Sequence, residues 1–180
     1  RARAAARAAL LHFTGSLLVA VLAAALVLRV WFAHPYDLLS GGRSLFLLLV
    51  GVDVVCGPLL TLVLFNPAKP RRELFTDMGL VVFIQLAALV YGLHTAYVAR
   101  PLFLVHEVDR FRVITAGDWG DADVHDTLGR LDASLRLHWL AGPVTVGIRD
   151  VRNAEERREV MLESAFGGRD YSQRPEFYVP

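Results

Sequence analysis

The sequence predicts a membrane protein in which three transmembrane α-helices are followed by a small α+β extracytoplasmic domain. Apolar residues make up 54% of the 180 residues, and the mean hydropathy is +0.42, whereas ordinary soluble domains are ~45–50% apolar. The apolar residues are concentrated in the first half, in three runs close to the ~20 residues that cross a ~30 Å hydrocarbon core. The halves also differ in charge, because residues 1–98 hold 8 basic and 4 acidic residues and residues 99–180 hold 11 and 14.

This composition excludes several classes of protein. The uneven distribution of apolar residues rules out a single soluble core and a disordered chain, and the acidic second half rules out a nucleic-acid-binding surface there. Cys56 is the single cysteine of the sequence, so a disulfide-stabilised scaffold is excluded. We therefore expect the chain to contact membrane lipid and no nucleic acid.

Three spans are predicted, at about residues 13–32, 45–65 and 79–98. The first has no charge before Arg29, whose long side chain can reach the headgroups. Its apolar run is longer than the about 7–15 residues of a signal-peptide core, which favours an uncleaved anchor. We therefore expect a membrane domain over residues 1–100 and a second domain over residues 101–180.

The distribution of basic residues predicts the orientation of the spans. Basic side chains are concentrated before the first span and between the second and third, at Arg1, Arg3, Arg7, Lys69, Arg71 and Arg72. The loop between the first two spans has only Arg43. Because basic residues collect on the cytoplasmic side, we expect a cytoplasmic N-terminus and a C-terminal domain on the outer side.

Small residues recur every four positions in the spans, a spacing that lets helix backbones approach closely in lipid. Asp53, Gly57 and Thr61 form one such stripe in the second span, and Ala88 and Gly92 lie on another in the third. Two interpretations stay open: the stripes pack the three helices together, or one of them receives a helix of a partner. On the second interpretation the candidate partner-binding residues are Asp53, Gly57, Thr61, Ala88, Tyr91 and Gly92.

Asp53 is a carboxylate near the middle of the second span, where insertion costs at least ~2.5–3.5 kcal/mol. We therefore expect it to have a partner. Helical rise counted from the predicted inner ends of the spans places Tyr91 at the same depth, with His94 one turn further out and Gln85 too low. This predicts a bond from Asp53 to Tyr91 or His94. Contact with a partner protein and a proton relay are the alternatives.

The second half predicts a small α+β domain. Apolar and alternating runs predict strands at 101–108, 111–114 and 144–151, with a turn at Asp109–Arg110 joining the first two. Apolar residues at helical spacing predict a helix over 124–135. A domain of this size without disulfides is expected to be stabilised by contact with the membrane, with a partner or with a second copy of the chain.

A second helix is predicted from Asn153 to about Phe166. Asn153 and Glu156 have the spacing of a capping box, which satisfies the first backbone N–H groups of a helix. Gly167 and Gly168 follow, and glycine just past the last turn ends many helices.

Acidic residues precede and enter the first of these helices, and with one histidine they make a cluster: Asp121, Asp123, His125, Asp126 and Asp132. A calcium loop needs glycine at its sixth position and glutamate at its twelfth, where this sequence has Asp126 and Asp132. Asp121 and Asp123 have the spacing of the DxD motif of sugar transferases, but a three-residue pattern has little specificity. No hydrolase, metalloprotease or phosphate-loop motif is present. We interpret the cluster as helix-capping acids and expect no metal, no cofactor and no catalytic residue.

Three separated segments indicate a family. They are GVDVVCGPLLTLVLFNPAKP, QLAALVYGLHTAYVARPLFLVHEVDRFRV and GGRDYSQRPEFYVP. In this order they resemble the type IV pilin accessory proteins of the TfpX/TfpZ type, and the resemblance extends from about residue 8 to residue 180. Besides Asp53, Gly57 and Tyr91, the positions that match the family pattern are Pro58, Asn66, Pro67, Gln85, Arg100, Pro101, Asp109, Arg110, Phe111, Gly167, Gly168, Asp170 and Pro175.

The resemblance implies a bacterial inner-membrane protein with a periplasmic C-terminal domain, needed for normal pilin levels or pilus assembly and not an enzyme. The implied partner is a type IV pilin, whose single apolar helix lies in the same membrane beneath a globular head. A chaperone-like protein of this shape contacts the helix through its spans and the head through its outer domain. The alternatives of another class are a membrane enzyme that modifies pilin by sugar transfer at the Asp121–Asp126 cluster, and a small permease or ion-linked subunit that uses Asp53.

Overall fold

The computed structural model describes residues 2–40, 42–107, 109–119, 124–138 and 140–180. The chain forms two compact units. The helical unit comprises residues 1–29 and 41–96. The second unit comprises residues 30–40 and 97–180, and we call it the outer unit after the location that the sequence predicts for it.

The first helix of the helical unit is α1, at Ala2–Leu26, and a π-helical turn at Val27–Trp31 extends it. The short α2, at Tyr36–Leu39, belongs to the outer unit. The second helix of the helical unit is α3, at Gly42–Leu64, and it continues through Pro58. The third helix is α4, at Arg71–Val98.

Three helical segments of the described chain are long and apolar enough to cross a membrane, and they confirm the predicted spans: Ala2–Trp31, Phe46–Leu64 and Arg71–Val98. Two of them begin earlier than predicted, because α1 includes the Ala- and Arg-rich segment before Phe13 and α4 includes residues 71–78. Large apolar side chains on all three remain exposed in the protein, as expected for surfaces that face lipid.

The turn between α3 and α4 contains the two prolines of NPAKP (residues 66–70), which do not continue a helix. The Asn66 side chain accepts a hydrogen bond from the Ala68 N–H at 3.2 Å, and the Lys69 ammonium bonds Asp77 of α4 at 2.6 Å. α4 then begins directly after Pro70. The ion pair ties the turn to the first turns of α4.

The outer unit contains a four-stranded mixed sheet. Its strands are β1 (Pro101–Glu107), β2 (Arg110–Thr115), β3 (Val144–Ile148) and β4 (Tyr178–Val179), in the order β2-β1-β3-β4. β1 pairs with β2 antiparallel and with β3 parallel, and β3 pairs with β4 antiparallel. The helices of this unit are α5, at Val124–Gly129, and α6, at Ala154–Ala165. This confirms the small α+β domain that the sequence predicts.

The predicted hairpin of β1 and β2 is present. Its closing pair is Glu107 and Arg110, so Arg110 belongs to β2 and not, as predicted, to the turn. β3 ends at Ile148, whereas the apolar pattern predicted a strand to residue 151.

The core of the outer unit is built from side chains of all four strands and of the segments packed on them. Phe103 of β1 is fully buried and its ring centroid lies 5.1 Å from that of Tyr178 and 6.1 Å from that of Trp119. Burial raises the pKa of the Tyr178 phenol, whose hydroxyl donates to the Ser172 carbonyl at 2.6 Å. The other buried members of this cluster are Leu102, Val105, Ile114, Leu131, Leu135 and Val146.

The predicted helix over residues 124–135 is wrong in its second half. α5 ends at Gly129, and a separate 3₁₀ turn follows at Ala133–Leu135. Asp132 caps that turn, because its carboxylate accepts from the Ser134 N–H at 3.0 Å. Glycine destabilises a helix interior and aspartate favours a cap, so the chain breaks between them while Leu131 and Leu135 still reach the core.

The ends of α6 are those that the sequence predicts. The Asn153 side chain accepts from the Glu156 N–H at 2.8 Å. At the other end Gly167 has a φ of 81°, and the Gly168 N–H donates to the Glu163 carbonyl at 2.8 Å. This is the Schellman arrangement, in which the positive φ requires a residue without a Cβ.

Residues 167–180, which we call the C-terminal segment, include β4 and contact β1, β2 and β3. Asp170 bonds Arg112 of β2 at 2.8 Å, and this contact holds the pKa of the Asp170 carboxyl below its usual value. Ser172 is fully buried and donates to Glu107 of β1 at 3.4 Å. Tyr178 then pairs with β3. The segment therefore joins the end of α6 to three strands.

Arg149 and Glu156 join β3 to α6. Two guanidinium nitrogens of Arg149 donate to the two Glu156 carboxylate oxygens at 2.8 and 3.2 Å, and the guanidinium lies 4.1 Å from the centroid of the Phe177 ring. The hydrogen bond from Arg149, with that from the Arg152 N–H, lowers the pKa of Glu156 to about 2. Two parallel hydrogen bonds of this kind fix the relative orientation of the two side chains.

We expect Glu156→Gln to lower the thermal unfolding midpoint of the full chain in detergent by about 2–4 °C at pH 7, because the variant loses the charge on the carboxylate. The pKa of Glu156 is depressed in the folded state, so its contribution is complete above its ordinary value of 4.5 and is lost as the pH falls towards 2. The difference in midpoint between the native chain and Glu156→Gln should therefore close over that interval.

The control is Glu155→Gln, which changes an exposed carboxylate in the same helical turn. Glu155→Gln should leave the midpoint unchanged both at pH 7 and at pH values below 4.5. Equal effects of the two substitutions on the midpoint would show that the Arg149–Glu156 pair stabilises the fold no more than a solvent-exposed carboxylate does.

Candidate intramembrane site

Four polar side chains meet inside the helical unit. His12 comes from α1, Asp53 and Thr61 from α3, and Gln85 from α4. We call these four residues the intramembrane polar cluster. Because all three helices are apolar, each contributes only one or two of these groups, and helix packing brings them together.

His12 and Thr61 link α1 to α3. His12 Nδ1 lies 2.6 Å from Thr61 Oγ1, at hydrogen-bond distance. The Thr61 side chain is 2% exposed, so water and lipid are excluded from this bond. Hydroxyl and imidazole groups that pair across helices satisfy each other where lipid offers no partner.

Gln85 links α4 to α3. Its Nε2 donates to the backbone carbonyl of Asp53 at 2.9 Å. The carboxamide also lies against Gly57, where an added Cβ would overlap it. Gly57 thus leaves the space that the Gln85 side chain occupies.

Gly92 of α4 forms a second close approach. An added Cβ there would overlap Leu49 of α3. Glycine at both contacts lets a large side chain from the opposite helix pack on bare backbone. Two of the predicted small positions, Gly57 and Gly92, therefore pack α3 against α4.

The predicted bond from Asp53 to Tyr91 or His94 is wrong. The Tyr91 side chain is 74% exposed, and the residue of α4 that contacts Asp53 is Gln85. The depth estimate took the inner end of the third span near residue 79, whereas α4 begins at Arg71. The longer helix shifts the register along α3 and brings Gln85 to the level of Asp53.

The structure adds one residue that the sequence reasoning missed. His12 stood just outside the predicted first span, so it was not considered as a membrane residue. The sequence did contain a signal for this residue. The alanine-rich residues 2–12 favour a helix that continues back from the first span, and such a helix includes His12.

Most of the remaining predicted positions have structural contacts. Ala88 lies with Asp53 beside a small cavity of about 20 Å³. In the outer unit, Arg100 lies 3.7 Å from the centroid of the Tyr97 ring, and Asp109 pairs with Arg110 at 2.9 Å. Pro175 is buried and Phe111 is 62% exposed.

The acidic cluster of the outer unit is described in part. Asp121 and Asp123 lie outside the described residues. Asp126 pairs with Arg130, and Asp132 caps a turn. Within the described ranges, no group of three or more His, Cys, Asp or Glu side chains could hold a metal ion.

The chain is similar in sequence to fimbrial assembly proteins of Dichelobacter nodosus. It is 43% identical over 169 residues to the serogroup I protein and 40% identical over 169 residues to the serogroup E1 protein, and each match covers 94% of this chain and 64% of the relative. The chain thus spans just under two thirds of the length of these relatives. No solved structure matches it significantly.

Two further matches agree with these. The protein of serogroups C1 and C2 is 46% identical over 108 residues, which cover 60% of this chain and 82% of that relative. The family model described as "Fimbrial assembly protein FimB" matches residues 1–41. The matched residues include α1 and His12.

We expect Gly57→Ala to destabilise the helical unit by about 1–3 kcal/mol, because the new methyl group displaces the Gln85 carboxamide from the Asp53 carbonyl. The measurement is the SDS fraction at which the purified full chain unfolds in mixed micelles. Gly51→Ala is the matched control on the same helix, since an added Cβ there meets no atom within 4 Å. If the two variants unfold at the same SDS fraction, Gln85 does not hold α4 against α3.

Proposed function

Because the chain belongs to the fimbrial assembly protein FimB family, we propose that it is an accessory protein of fimbrial assembly that acts on pilin in the bacterial inner membrane. The observation that carries the proposal is the similarity to fimbrial assembly proteins over 94% of the chain, which includes both compact units. We propose a chaperone-like role, in which the protein holds pilin and catalyses no reaction.

The charges at the ends of the helices support an orientation with the N-terminus in the cytoplasm and the outer unit in the periplasm. Arg3 and Arg7 lie in the first turns of α1, and Arg71 and Arg72 begin α4. Both helix ends then lie on the basic, cytoplasmic side. The same orientation places the sheet on the side of the membrane where the head of a pilin lies.

The surface of the helical unit supports contact with a membrane helix. Its apolar side chains form a large exposed surface, and Gly15 of α1 has open space around it. In lipid, helices associate closely where small residues lie at the surface, as Gly15 does here.

An apolar patch on α6 supports contact between the outer unit and a protein. Met161, Leu162 and Phe166 are 61%, 51% and 86% exposed, whereas Val160 of the same helix is buried. Leu162 and Phe166 are four residues apart and share a helix face. Apolar groups clustered in this way on a polar domain are typical of interaction surfaces.

Deleting the gene in a fimbriated strain should lower the amount of pilin and the number of surface fimbriae while the intact mass of the remaining pilin is unchanged. A holding protein alters the survival of its partner and not its covalent structure. The measurements are quantitative immunoblots of pilin, electron microscopy of the cells and intact-mass spectrometry. Complementation by the native gene is the control.

Two results would contradict the proposal. Unchanged pilin levels and fimbriation would remove the assembly role. A discrete loss of pilin mass in the deletion strain would instead indicate the alternative of sugar transfer.

We expect alkaline phosphatase fused after Pro180 to be active and β-galactosidase at the same site to be inactive, because the first enzyme folds only outside the cytoplasm. The reciprocal fusions in the turn at Pro67–Lys69 between α3 and α4 are the control and should give the opposite pattern. Phosphatase activity confined to the turn fusion would reverse the orientation.

A further inference from the structure

A cleft of 250 Å³ lies in the helical unit between α1 and α4, with α3 behind it. His12, Gly15 and Ser16 line it from α1, Asp53 from α3, and Gln85 and Leu86 from α4. Its walls are otherwise apolar. The cleft therefore brings most of the intramembrane polar cluster to one place on the lipid-facing surface.

The acceptor that the cleft presents is the Asp53 carboxyl group, since Asp53 is half-buried and lines the cleft. The Gln85 amide nitrogen donates to the Asp53 backbone carbonyl, and His12 Nδ1 is engaged with Thr61. Gln85 Oε1 is buried against Gly57 and does not face the cleft. The Gln85 side chain lies beside the Asp53 carboxyl group.

A carboxyl group that faces hydrocarbon is costly unless donors surround it. A lipid acyl chain filling the cleft has no donor to offer Asp53. A transmembrane helix that carries a hydroxyl, amide or ammonium group at this depth donates to it. Polar side chains of this kind are known to hold helices together in membranes.

The α1 wall leaves room for a helix backbone. A side chain built at Gly15 meets no atom within 4 Å, and the neighbouring wall residue is the small Ser16. Backbones approach closely where such residues face one another. Shape and hydrogen-bonding capacity thus favour the same occupant.

We infer that this cleft receives the membrane helix of pilin, and that the helix brings a hydrogen-bond donor to the Asp53 carboxyl group. The inference rests on the proposed function, which supplies the identity of the partner, and it adds the site and the chemistry of the contact. Asp53 then contacts both a residue of its own protein and a residue of the partner.

The test is photo-crosslinking in membranes of cells that express pilin and the full chain. A photoreactive residue at Ser16 should capture pilin. The same residue at Leu22, which lies on α1 outside the cleft and is 64% exposed, is the control and should capture lipid. A third photoreactive residue at Phe166 reports contact of pilin with the outer unit.

Two substitutions should reduce the Ser16–pilin adduct by about tenfold. Asp53→Leu removes the acceptor, and Gly15→Leu fills the cleft without removing any polar group. Gly51→Leu adds the same side chain at an open position outside the cleft and should leave the adduct unchanged. Asp53→Asn keeps an acceptor and should retain most of it. Unfolding in SDS checks that each variant is folded.

The outcomes separate this inference from the proposed function. Pilin captured from Phe166, with only lipid or a second copy of the chain captured from Ser16, would overturn the inference and leave the assembly role in place. A Ser16–pilin adduct that Gly15→Leu does not reduce would overturn it as well. Normal fimbriation after gene deletion would overturn the proposed function instead.

Discussion

Lipid offers no hydrogen bonds, and this constraint decides how the three long helices pack. Each polar side chain within the spans must find a partner on its own helix, as Thr14 and Thr95 do, or on another helix. Thr61 meets His12, and Gln85 meets the carbonyl of Asp53. Both bonds pass through α3, which is therefore the helix against which the other two pack.

The glycines of the spans determine where these bonds form. Without Gly57 the Gln85 carboxamide would have no space beside α3, and without Gly92 the Leu49 side chain would not fit against α4. Apolar attraction between helices is weak in lipid because the solvent is equally apolar. Close approach and a few hydrogen bonds therefore provide most of the specificity, and they also leave the cleft beside Asp53.

The outer unit is held together differently, because it has a small apolar core. The C-terminal segment compensates by crossing the sheet. Arg174 is 5% exposed and pairs with Glu163 of α6, and a buried charge without its partner would be strongly destabilising. The terminal segment is thus an integral part of the fold.

Sequence reasoning was most accurate where a local rule decides the outcome. The three spans follow from apolar length, the turn after α3 from two prolines, and the ends of α6 from Asn153 and Gly167. It was least accurate where the outcome depends on register between elements. The partner of Asp53 depends on the register of α4 relative to α3. An estimate based on the apolar boundaries placed the start of the third span at residue 79, whereas α4 begins at Arg71.

The break at Gly129 shows the same limit on a smaller scale. The apolar periodicity continues through Leu135, but Gly129 and the capping Asp132 interrupt the helix. Leu131 and Leu135 are buried in the core all the same, and their burial stabilises the interrupted conformation. Sheet order is also a tertiary result, because β1 lies between its hairpin partner and the distant β3. No local propensity specifies which distant strand occupies an open edge.

By itself the sequence determined the medium of each half, the number of membrane helices, the mixed outer domain and the family, since these depend on composition, run length and motifs along the chain. The tertiary structure alone decided that His12 belongs inside the helical unit, that Gln85 and not Tyr91 meets Asp53, and that a cleft lies between α1 and α4. The physical reason is that hydrogen bonds and close contacts between helices depend on relative displacements of about one helical turn, ~5.4 Å, which no one-dimensional pattern records.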